Sequence, residues 1–245
     1  MTEPATNYQA LAADYARHRR VHPGVVDALV EAVRGGACTD VLEVGCGSGN
    51  YLEVVRGLTG VHVAGIDPSS AMLEQLTARV PDTEVQVASA EAIPYPDQSF
   101  DLIYSVDVIH HVRDRPKWFR EAARLLRPGG RVVTVTDSEQ DLERRVPLTS
   151  HFPETLEHER RRYPTIGTLR VEMLDAGFVN LAETSVELVY PLSDISGYRS
   201  KAYSSLHLIT DAEHARGIER LERDLANGPI EARSLYTLLW GSTSA

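Results

Sequence analysis

The sequence has 245 residues, 42% hydrophobic and 24% charged, an ordinary globular composition that fits one large domain or two small ones. Acidic residues number 35 against 25 lysines and arginines, a net charge of −10, which argues against a nucleic-acid-binding protein and against a protein held on anionic membranes. No stretch approaches the roughly 20 apolar residues of a transmembrane helix.

Cysteine usage and the amino-terminal segment predict the compartment. The two cysteines, Cys38 and Cys46, are too few for a disulfide framework, which favours a reducing compartment. Residues 1–16 include Glu3 and Asp14 and contain no apolar run, so we expect no secretory signal peptide. These features predict a cytoplasmic protein.

Apolar runs alternate with helical patterns in the first half of the chain. The predicted strands are Val41–Val44, Val61–Asp67, Val85–Val87, Phe100–Val106 and Arg131–Thr136. Between them, Ser69 or Ser70 can cap one helix, and Asp114 can cap another that ends at Pro128-Gly129-Gly130. Strands that alternate with helices predict parallel pairing, right-handed crossovers and a doubly wound α/β sheet.

The pattern changes after Thr136. Residues 137–163 are rich in charge and show no strand signal. Further elements follow, namely a helix at Thr168–Ala176, an extended segment at Val179–Tyr190, a helical segment at Leu206–Ala226 and a closing strand at Leu235–Trp240. No repeat or linker separates them. We therefore predict a single domain over residues 1–245, with a core at 38–136 and helical insertions at 137–165 and 193–232.

A glycine-rich loop follows the first predicted strand. Gly45, Gly47 and Gly49 allow a tight turn and a close approach by a ligand. The loop lies at the carboxyl end of a strand, where parallel sheets bind ligands. A dinucleotide site of the G-x-G-x-x-G type would need glycine at position 50, where this chain has Asn50. The spacing favours a cofactor without a pyrophosphate and argues against a nicotinamide dehydrogenase.

Asp67 ends the second predicted strand. A carboxylate at this place can accept hydrogen bonds from two ribose hydroxyls at once. The alternative is that Asp67 only caps the following helix, although Ser69 and Ser70 are also available as caps. Together with the glycines, Asp67 predicts a cofactor site.

Four ordered motifs resemble those of the class I S-adenosylmethionine-dependent methyltransferases. Val41–Gly49 resembles their first motif, Gly65–Leu73 their second-strand motif, and Arg124–Gly130 the lead into their fifth strand. Ala88–Asp101 resembles the segment before the fourth strand in the ubiquinone-biosynthesis-like small-molecule subgroup. The resemblance extends over about residues 7–136.

This resemblance implies the complete fold. It is a Rossmann-like, doubly wound, seven-stranded α/β sheet, mostly parallel with an antiparallel last strand, carrying helical insertions that form a substrate lid. Leu181–Tyr190 would be the sixth strand and Leu235–Trp240 the last.

The resemblance also implies S-adenosylmethionine as the cofactor. Glu43 and the loop glycines would position the methionine end and Asp67 the ribose, while Met72 and the backbone around Pro68 would pack on the adenine. The family usually has aspartate where this chain has Ser89, and a serine reaches less far towards the adenine amino group. The predicted cofactor-binding residues are Tyr15, Arg19, Glu43, Gly45, Cys46, Gly47, Asn50, Asp67, Pro68, Ser69, Met72, Ser89, Ala90, Glu91, Ser105 and Val106.

The segment upstream of the core resembles the family's amino-terminal lid, here predicted as helices within residues 1–30. In the family, a tyrosine and an arginine close over the methionine carboxylate, and Arg19 is the matching arginine. The alternative is an exposed basic surface, since Arg17, Arg19 and Arg20 cluster.

His110 and His111 are the candidate catalytic residues. Methyl transfer from a sulfonium is a direct displacement, in which correct orientation can contribute about 7–11 kcal/mol. A general base is needed only when the acceptor enters protonated. The two histidines follow the fourth strand, with Asp107 as an orienting or polar contact. The alternative is that a histidine here only packs in the loop. We predict no metal site, because no third metal ligand appears at regular spacing near the two histidines.

We therefore predict methyl transfer from S-adenosylmethionine to a small molecule, at an O, N or C nucleophile, with no nucleic-acid or membrane partner. Two alternatives stay open: a non-methylating reaction in the same cofactor pocket, such as a cyclisation, and a non-catalytic S-adenosylmethionine-binding module. The acceptor and the oligomeric state are not readable from the sequence. Candidates for lining the acceptor pocket are Phe152, Tyr163, Tyr198, Lys201, Tyr203 and His207.

Overall fold

The computed structural model describes residues 21–244. Its seven strands are β1 (Asp40–Val44), β2 (His62–Asp67), β3 (Val85–Val87), β4 (Phe100–Val106), β5 (Leu126–Thr136), β6 (Val179–Leu192) and β7 (Ile230–Ser242). They form one sheet in the order β3-β2-β1-β4-β5-β7-β6. Strands β1 to β5 pair in parallel, and β7 runs antiparallel to both β5 and β6. The predicted Rossmann-like seven-stranded sheet is confirmed.

Helices cover both faces of this sheet and form the insertions. They are α1 (Pro23–Gly35), α2 (Asn50–Thr59), α3 (Ser70–Arg79), α4 (Arg115–Leu125), α5 (Glu139–Arg144), α6 (Leu148–His151), α7 (Glu154–Arg162), α8 (Ile166–Asp175), α9 (Ser196–Arg199) and α10 (Asp211–Leu225). Short 3-10 turns lie at Ile109–His111 and Ser204–His207. In the part of the chain that the structure describes, no helix combines the length and apolar character needed to cross a bilayer.

The predicted caps of α3 and α4 are present. Ser69 accepts a hydrogen bond from the Met72 N–H, and Asp114 accepts one from the Lys117 N–H. The predicted end of α4 was wrong: the helix stops at Leu125, and Leu126 already begins β5. Proline 128 explains part of this difference, since it disfavours helical backbone at the residue before it.

The predicted helical segment Leu206–Ala226 begins too early. A 3-10 turn precedes it, and α10 starts at Asp211 because Thr210 forms a capping box with Glu213. Its carboxyl-terminal end agrees with the structure.

Two hydrophobic layers sandwich the sheet. Helix α1 belongs to one of them, with Val25 and Leu29 fully buried, so the predicted lid boundary at residue 30 falls inside a core helix. A separate small cluster joins the two insertions and contains Phe152, Tyr198 and Leu221. We call this cluster, with α6, α9 and α10 around it, the cap. Because β7 begins at Ile230, the second helical insertion is shorter than predicted.

Candidate functional site

The glycine loop turns sharply at the carboxyl end of β1. The N–H groups of Gly45 and Cys46 both donate to the Ile66 carbonyl, at 2.8 and 2.9 Å, which ties the loop to β2. Gly45 has φ +71°, and a Cβ there would lie 2.4 Å from a methyl carbon of Val108. The loop therefore touches the turn that follows β4, and only glycine fits at this contact.

Gly47 differs from Gly45 in its surroundings. It also has positive φ, +51°, but a Cβ built on it would meet no atom of residues 21–244 within 4 Å. This part of the loop presents open backbone to a ligand, whereas Gly45 is closed off by Val108.

Asp67 connects the loop to the start of α3. One carboxylate oxygen accepts from the Gly47 N–H at 2.9 Å, and the other accepts from the Ser69 N–H at 2.8 Å. Burial raises the pKa of Asp67, and these two N–H groups only partly oppose that rise. Each carboxylate oxygen has a second lone pair for a further donor. The side chain that caps α3 is Ser69, while Asp67 binds the backbone of the loop and of the residue at the start of α3.

Glu43 lies beneath the loop and is 3% exposed. The Tyr104 hydroxyl donates to its carboxylate at 3.0 Å, and the Leu52 N–H at the start of α2 donates as well. Burial raises the pKa of Glu43 to about 8. Burial also raises the pKa of the neighbouring Cys46 thiol. Tyr104 was not predicted as a site residue, although it pairs with Glu43 across the β1–β4 ladder.

Arg79, the last residue of α3, was also not predicted as a site residue. Its guanidinium donates to the Ser48 carbonyl at 2.7 Å and to the Asn50 side-chain oxygen at 3.1 Å, and forms an ion pair with Glu53. Arg79 thus holds the loop from the side of α3, and Asn50 contacts this arginine. No sequence motif marks an arginine at the end of a helix as a loop ligand.

The predicted adenine-side residues lie around the ends of β2 and β3. Met72 and Ala90 are buried, while Pro68 and Ser89 are exposed. Val87 was not predicted, yet it is 60% exposed and pairs with Asp67 across the ladder. An exposed valine at this place offers an apolar surface beside the carboxylate that is predicted to bind a ribose.

Glu91 is engaged by the loop before α4. Its carboxylate accepts from the N–H groups of Arg113 and Asp114, at 3.1 and 3.4 Å, and it interacts with the Ser89 hydroxyl. Its pKa is lowered because these hydrogen bonds outweigh the opposing effect of burial. Ser89 is therefore directed towards Glu91.

The remaining predicted cofactor residues divide into two groups. Tyr15 and Arg19 lie outside the described residues. Ser105 and Val106 close β4, where the buried Ser105 hydroxyl shares a 3.1 Å hydrogen bond with Thr134 and Val106 is half-buried. The Ser105 side chain thus faces the neighbouring strand β5.

Asp107 directly follows β4 and has a left-handed backbone, φ +59°. It is buried, and the Tyr236 hydroxyl donates to its carboxylate at 2.7 Å. Left-handed backbone at a residue other than glycine costs of order 1–3 kcal/mol and is concentrated at functional sites. Tyr236 comes from β7 and was not predicted.

The two candidate catalytic histidines form the 3-10 turn after Asp107. The His110 ring is half-buried and stacks on Tyr163 with centroids 4.1 Å apart, while His111 is exposed. Their own ring centroids lie 4.0 Å apart. Tyr163, at the end of α7, is thus a pocket candidate that contacts the turn.

A buried charge network lies between β5 and the first insertion. Arg145 donates to Glu159 at 2.9 Å and contacts Asp137 at 3.5 Å, and all three side chains are nearly inaccessible. Burial raises the pKa of Asp137, with Arg145 opposing the rise. We call Asp137, Arg145 and Glu159 the insertion network. It fixes the first insertion against the end of β5.

The other pocket candidates belong mainly to the cap. The rings of Phe152 and Tyr198 are stacked with centroids 6.1 Å apart, and the ring centroids of Tyr198 and Tyr203 lie 4.6 Å apart. Lys201 forms an ion pair with Asp211, and His207 contacts the Lys201 carbonyl. Across residues 21–244, no group of three histidine, cysteine or acidic side chains could hold a metal ion.

Comparison with known proteins finds similarity to a protein family over residues 42–134, which we call the cofactor half. These residues, which begin within β1 and end within β5, match the family model described as a methyltransferase domain. A "Phosphoethanolamine N-methyltransferase" of Triticum aestivum is 42% identical over 97 residues, 38% of this chain and 19% of that protein. A "27-O-demethylrifamycin SV methyltransferase" of Amycolatopsis mediterranei is 37% identical over 99 residues, 38% of this chain and 36% of that protein.

A solved structure agrees over nearly the whole chain. The [4+2]-cyclase SpnF matches with a TM-score of 0.64 and 18% identity, covering 97% of this chain and 93% of that one. At this identity the likeness concerns the fold alone. The two curated relatives are matched over 19% and 36% of their own lengths, and the shared family segment stops before the insertions. The similarity therefore concerns the cofactor half of the site.

Proposed function

We propose that this chain, whose residues 42–134 match the family model of a methyltransferase domain, is a class I S-adenosylmethionine-dependent methyltransferase that transfers a methyl group from S-adenosylmethionine to a small molecule. The acceptor atom is an O, N or C nucleophile, and the reaction is a direct displacement. One observation carries the proposal: the Asp67 carboxylate binds the N–H of Gly47, so the ribose-type carboxylate and the open loop backbone adjoin each other.

The residues around the loop fit this cofactor. Gly47 leaves open space where a ligand can meet the backbone, and Asp67 keeps lone pairs for two hydroxyl donors. Val87 and Met72 supply apolar surface for a planar base. S-adenosylmethionine, when bound, supplies a methyl group on a sulfonium, which is an electrophile that amino-acid side chains do not provide.

The protein's contribution to the reaction is alignment and exclusion of water. The turn after β4 touches the glycine loop through Val108 and Gly45, so Asp107, His110 and His111 adjoin the cofactor half. We propose one of the two histidines as the base for acceptors that enter protonated, with Asp107 as a polar contact. The cap and the insertion network cover the acceptor.

The choice of acceptor class rests on the relatives and on charge. Both curated relatives described above are named for small-molecule acceptors, and the net charge of −10 disfavours a nucleic-acid substrate. The cytoplasmic location stays a prediction from the composition.

Binding and turnover test this function separately. Calorimetry should show that S-adenosylhomocysteine binds the wild-type chain and that Asp67→Asn weakens binding by about tenfold to a hundredfold, the loss of one or two charge-assisted hydrogen bonds. Asp82→Asn changes an exposed aspartate and should leave the affinity unchanged. Failure of the wild type to bind contradicts the cofactor assignment.

Turnover is measured as S-adenosylhomocysteine formed by mass spectrometry, with a phenol, a primary amine and a hydroquinone series as acceptors. Methylation of any series, lost in Asp67→Asn, supports the proposal. Tight cofactor binding without S-adenosylhomocysteine from any acceptor favours a non-methylating reaction or a binding module. For an active acceptor, His110→Gln and His111→Gln identify the base, since loss of the acidic limb of the pH–rate profile follows only its removal.

A further inference from the structure

Glu43 is a buried acid that no neighbour among residues 21–244 neutralises. Its carboxylate accepts from the Tyr104 hydroxyl at 3.0 Å and from the Leu52 N–H. The other titratable groups that face it are the Asp67 carboxyl from β2 and the Cys46 thiol from the loop. Among the described residues, no basic side chain contacts Glu43.

These surroundings favour the neutral carboxylic acid in the protein without cofactor. Removing a carboxylate from water is costly unless a cation compensates, and the nearby Asp67 carboxylate adds repulsion. Two hydrogen-bond donors compensate only in part, and the pKa of Glu43 is raised to about 8 by burial. At pH 7 the Glu43 carboxyl is mostly protonated.

The position of Glu43 connects it to the ligand. The carboxyl lies between the end of β1 and the first turn of α2, directly beneath the loop from Gly45 to Gly49. S-adenosylmethionine carries an ammonium and a sulfonium group against one carboxylate, so its net charge is positive. A cation placed on this loop favours the ionised form of every acid beneath it.

We propose that Glu43 holds its proton in the cofactor-free protein and releases it to solvent when S-adenosylmethionine binds, becoming the buried counter-charge of the cationic cofactor. The inference rests on the proposed function, since it requires this cofactor on this loop. The O–H bond of the Glu43 carboxyl breaks, the proton goes to water or buffer, and the carboxylate keeps the electron pair. The Tyr104 hydroxyl then donates to a charged acceptor, which strengthens that hydrogen bond. Glu43 is thus a binding residue that makes cofactor affinity dependent on pH.

Proton release is measured by titrating the full chain with S-adenosylmethionine alone, at pH 7.0, in buffers of different ionisation enthalpy. We expect about 0.5–0.9 proton released per cofactor bound. Between pH 6 and 8, the affinity should rise by up to about tenfold per pH unit and level off above that range. A wild-type chain that binds S-adenosylmethionine without releasing a proton overturns the inference and leaves the proposed function intact. A chain that does not bind it overturns both.

Two variants assign the proton to Glu43. In Glu43→Gln the release should fall below about 0.2 proton and the affinity should lose its dependence on pH. An unchanged release from this variant overturns the assignment, because Asp67 or another group would then be its source. Tyr104→Phe removes a donor that favours the ionised carboxyl, so the rise in affinity should move to higher pH. Where Glu43→Gln does not fold, the direction of this shift decides, and an unshifted profile contradicts the inference.

Discussion

The two halves of the site are held together by different chemistry. On the cofactor side, side chains bind backbone: Asp67 accepts from two N–H groups, and Arg79 donates to a loop carbonyl. On the proposed acceptor side, side chains bind side chains: Arg145 joins Asp137 to Glu159, and Tyr236 holds Asp107. The first kind of contact depends on backbone shape and a few glycines, whereas the second depends on which particular residues meet.

This difference has a consequence for variation. A loop held by its backbone accepts the same ligand in many proteins, provided that the glycines and one carboxylate remain. An acceptor region held by side-chain pairs changes with any of its members. The family match has the same distribution, since it ends at residue 134 and does not include the insertion network. We therefore expect substitutions on the two sides to differ in their effects on the free energy of unfolding and on ligand affinity.

The largest effect is expected from Arg145→Met. It removes the ion-pair partner of the buried Asp137 and leaves Glu159 with Arg162, 3.6 Å away, which should lower the free energy of unfolding by about 3–5 kcal/mol. Urea denaturation followed by circular dichroism measures this. Arg161→Met is the matched control, because the Arg161–Glu157 pair is 66% and 62% exposed and its loss should cost under about 1 kcal/mol. Equal effects of the two variants would show that the network contributes nothing beyond a surface ion pair.

A second comparison concerns two glycines of one loop. Gly45→Ala should lower the free energy of unfolding by about 2–4 kcal/mol, because its Cβ would press on Val108 and its φ is positive. Gly47→Ala has room for its methyl group and should cost only about 1 kcal/mol. For ligand binding, we expect Gly47→Ala to have the larger effect of the two variants. It should weaken S-adenosylhomocysteine binding at least about tenfold, because its methyl group occupies the open face of the loop.

Gly57→Ala controls for the change of residue type. Gly57 lies inside α2 with ordinary helical backbone, and no atom of the described residues lies within 4 Å of its Cβ position, so alanine should stabilise the fold by about 0.5–1 kcal/mol without changing affinity. Denaturation and calorimetry on all three variants measure both quantities. If Gly47→Ala binds S-adenosylhomocysteine as the wild type does, the ligand does not approach this backbone.

The parts of the molecule that could be predicted from sequence are those with local causes. The strands, the caps at Ser69 and Asp114, the glycine loop and Asp67 each follow from residues within a few positions of one another. The ends of helices were predicted less accurately, as the end of α4 at Leu125 illustrates. The end of a helix depends on which neighbour offers the stronger alternative pairing, and here β5 begins at once.

Long-range side-chain pairs could not be predicted. Tyr236 and Asp107 are 129 residues apart, and Arg79 and Ser48 are 31 apart. Nothing in the pattern of either member names its partner, because the sheet order that joins them is a property of the whole fold. His110 and His111 were recognisable as candidates, but their surroundings, with Tyr163 stacked on one ring, depend on an insertion without a motif.

A smaller loss of stability than in Arg145→Met or Gly45→Ala is expected from Tyr236→Phe, which removes one hydroxyl and keeps the ring. The lost hydrogen bond to Asp107 should cost about 1–2 kcal/mol in unfolding free energy. The left-handed backbone at Asp107 is then less well supported, so the turn that carries His110 should become less ordered. Because the Asp107 side chain is turned to Tyr236 on β7, while the proposed ribose contact Asp67 ends β2, S-adenosylhomocysteine affinity should stay within about twofold of the wild type.

With an active acceptor from the turnover assay, Tyr236→Phe should lower kcat by about tenfold or more while the Michaelis constant for S-adenosylmethionine changes little. Tyr190→Phe, on β6, gives the matched loss of a phenol hydroxyl elsewhere in the chain and should leave kcat unchanged. If Tyr236→Phe instead weakens cofactor binding as strongly as it slows turnover, the two halves of the site are coupled through Asp107. The Tyr236→Phe variant can distinguish an effect on turnover alone from an effect on both turnover and cofactor binding. It removes only the hydroxyl, and the ring keeps its packing against His22.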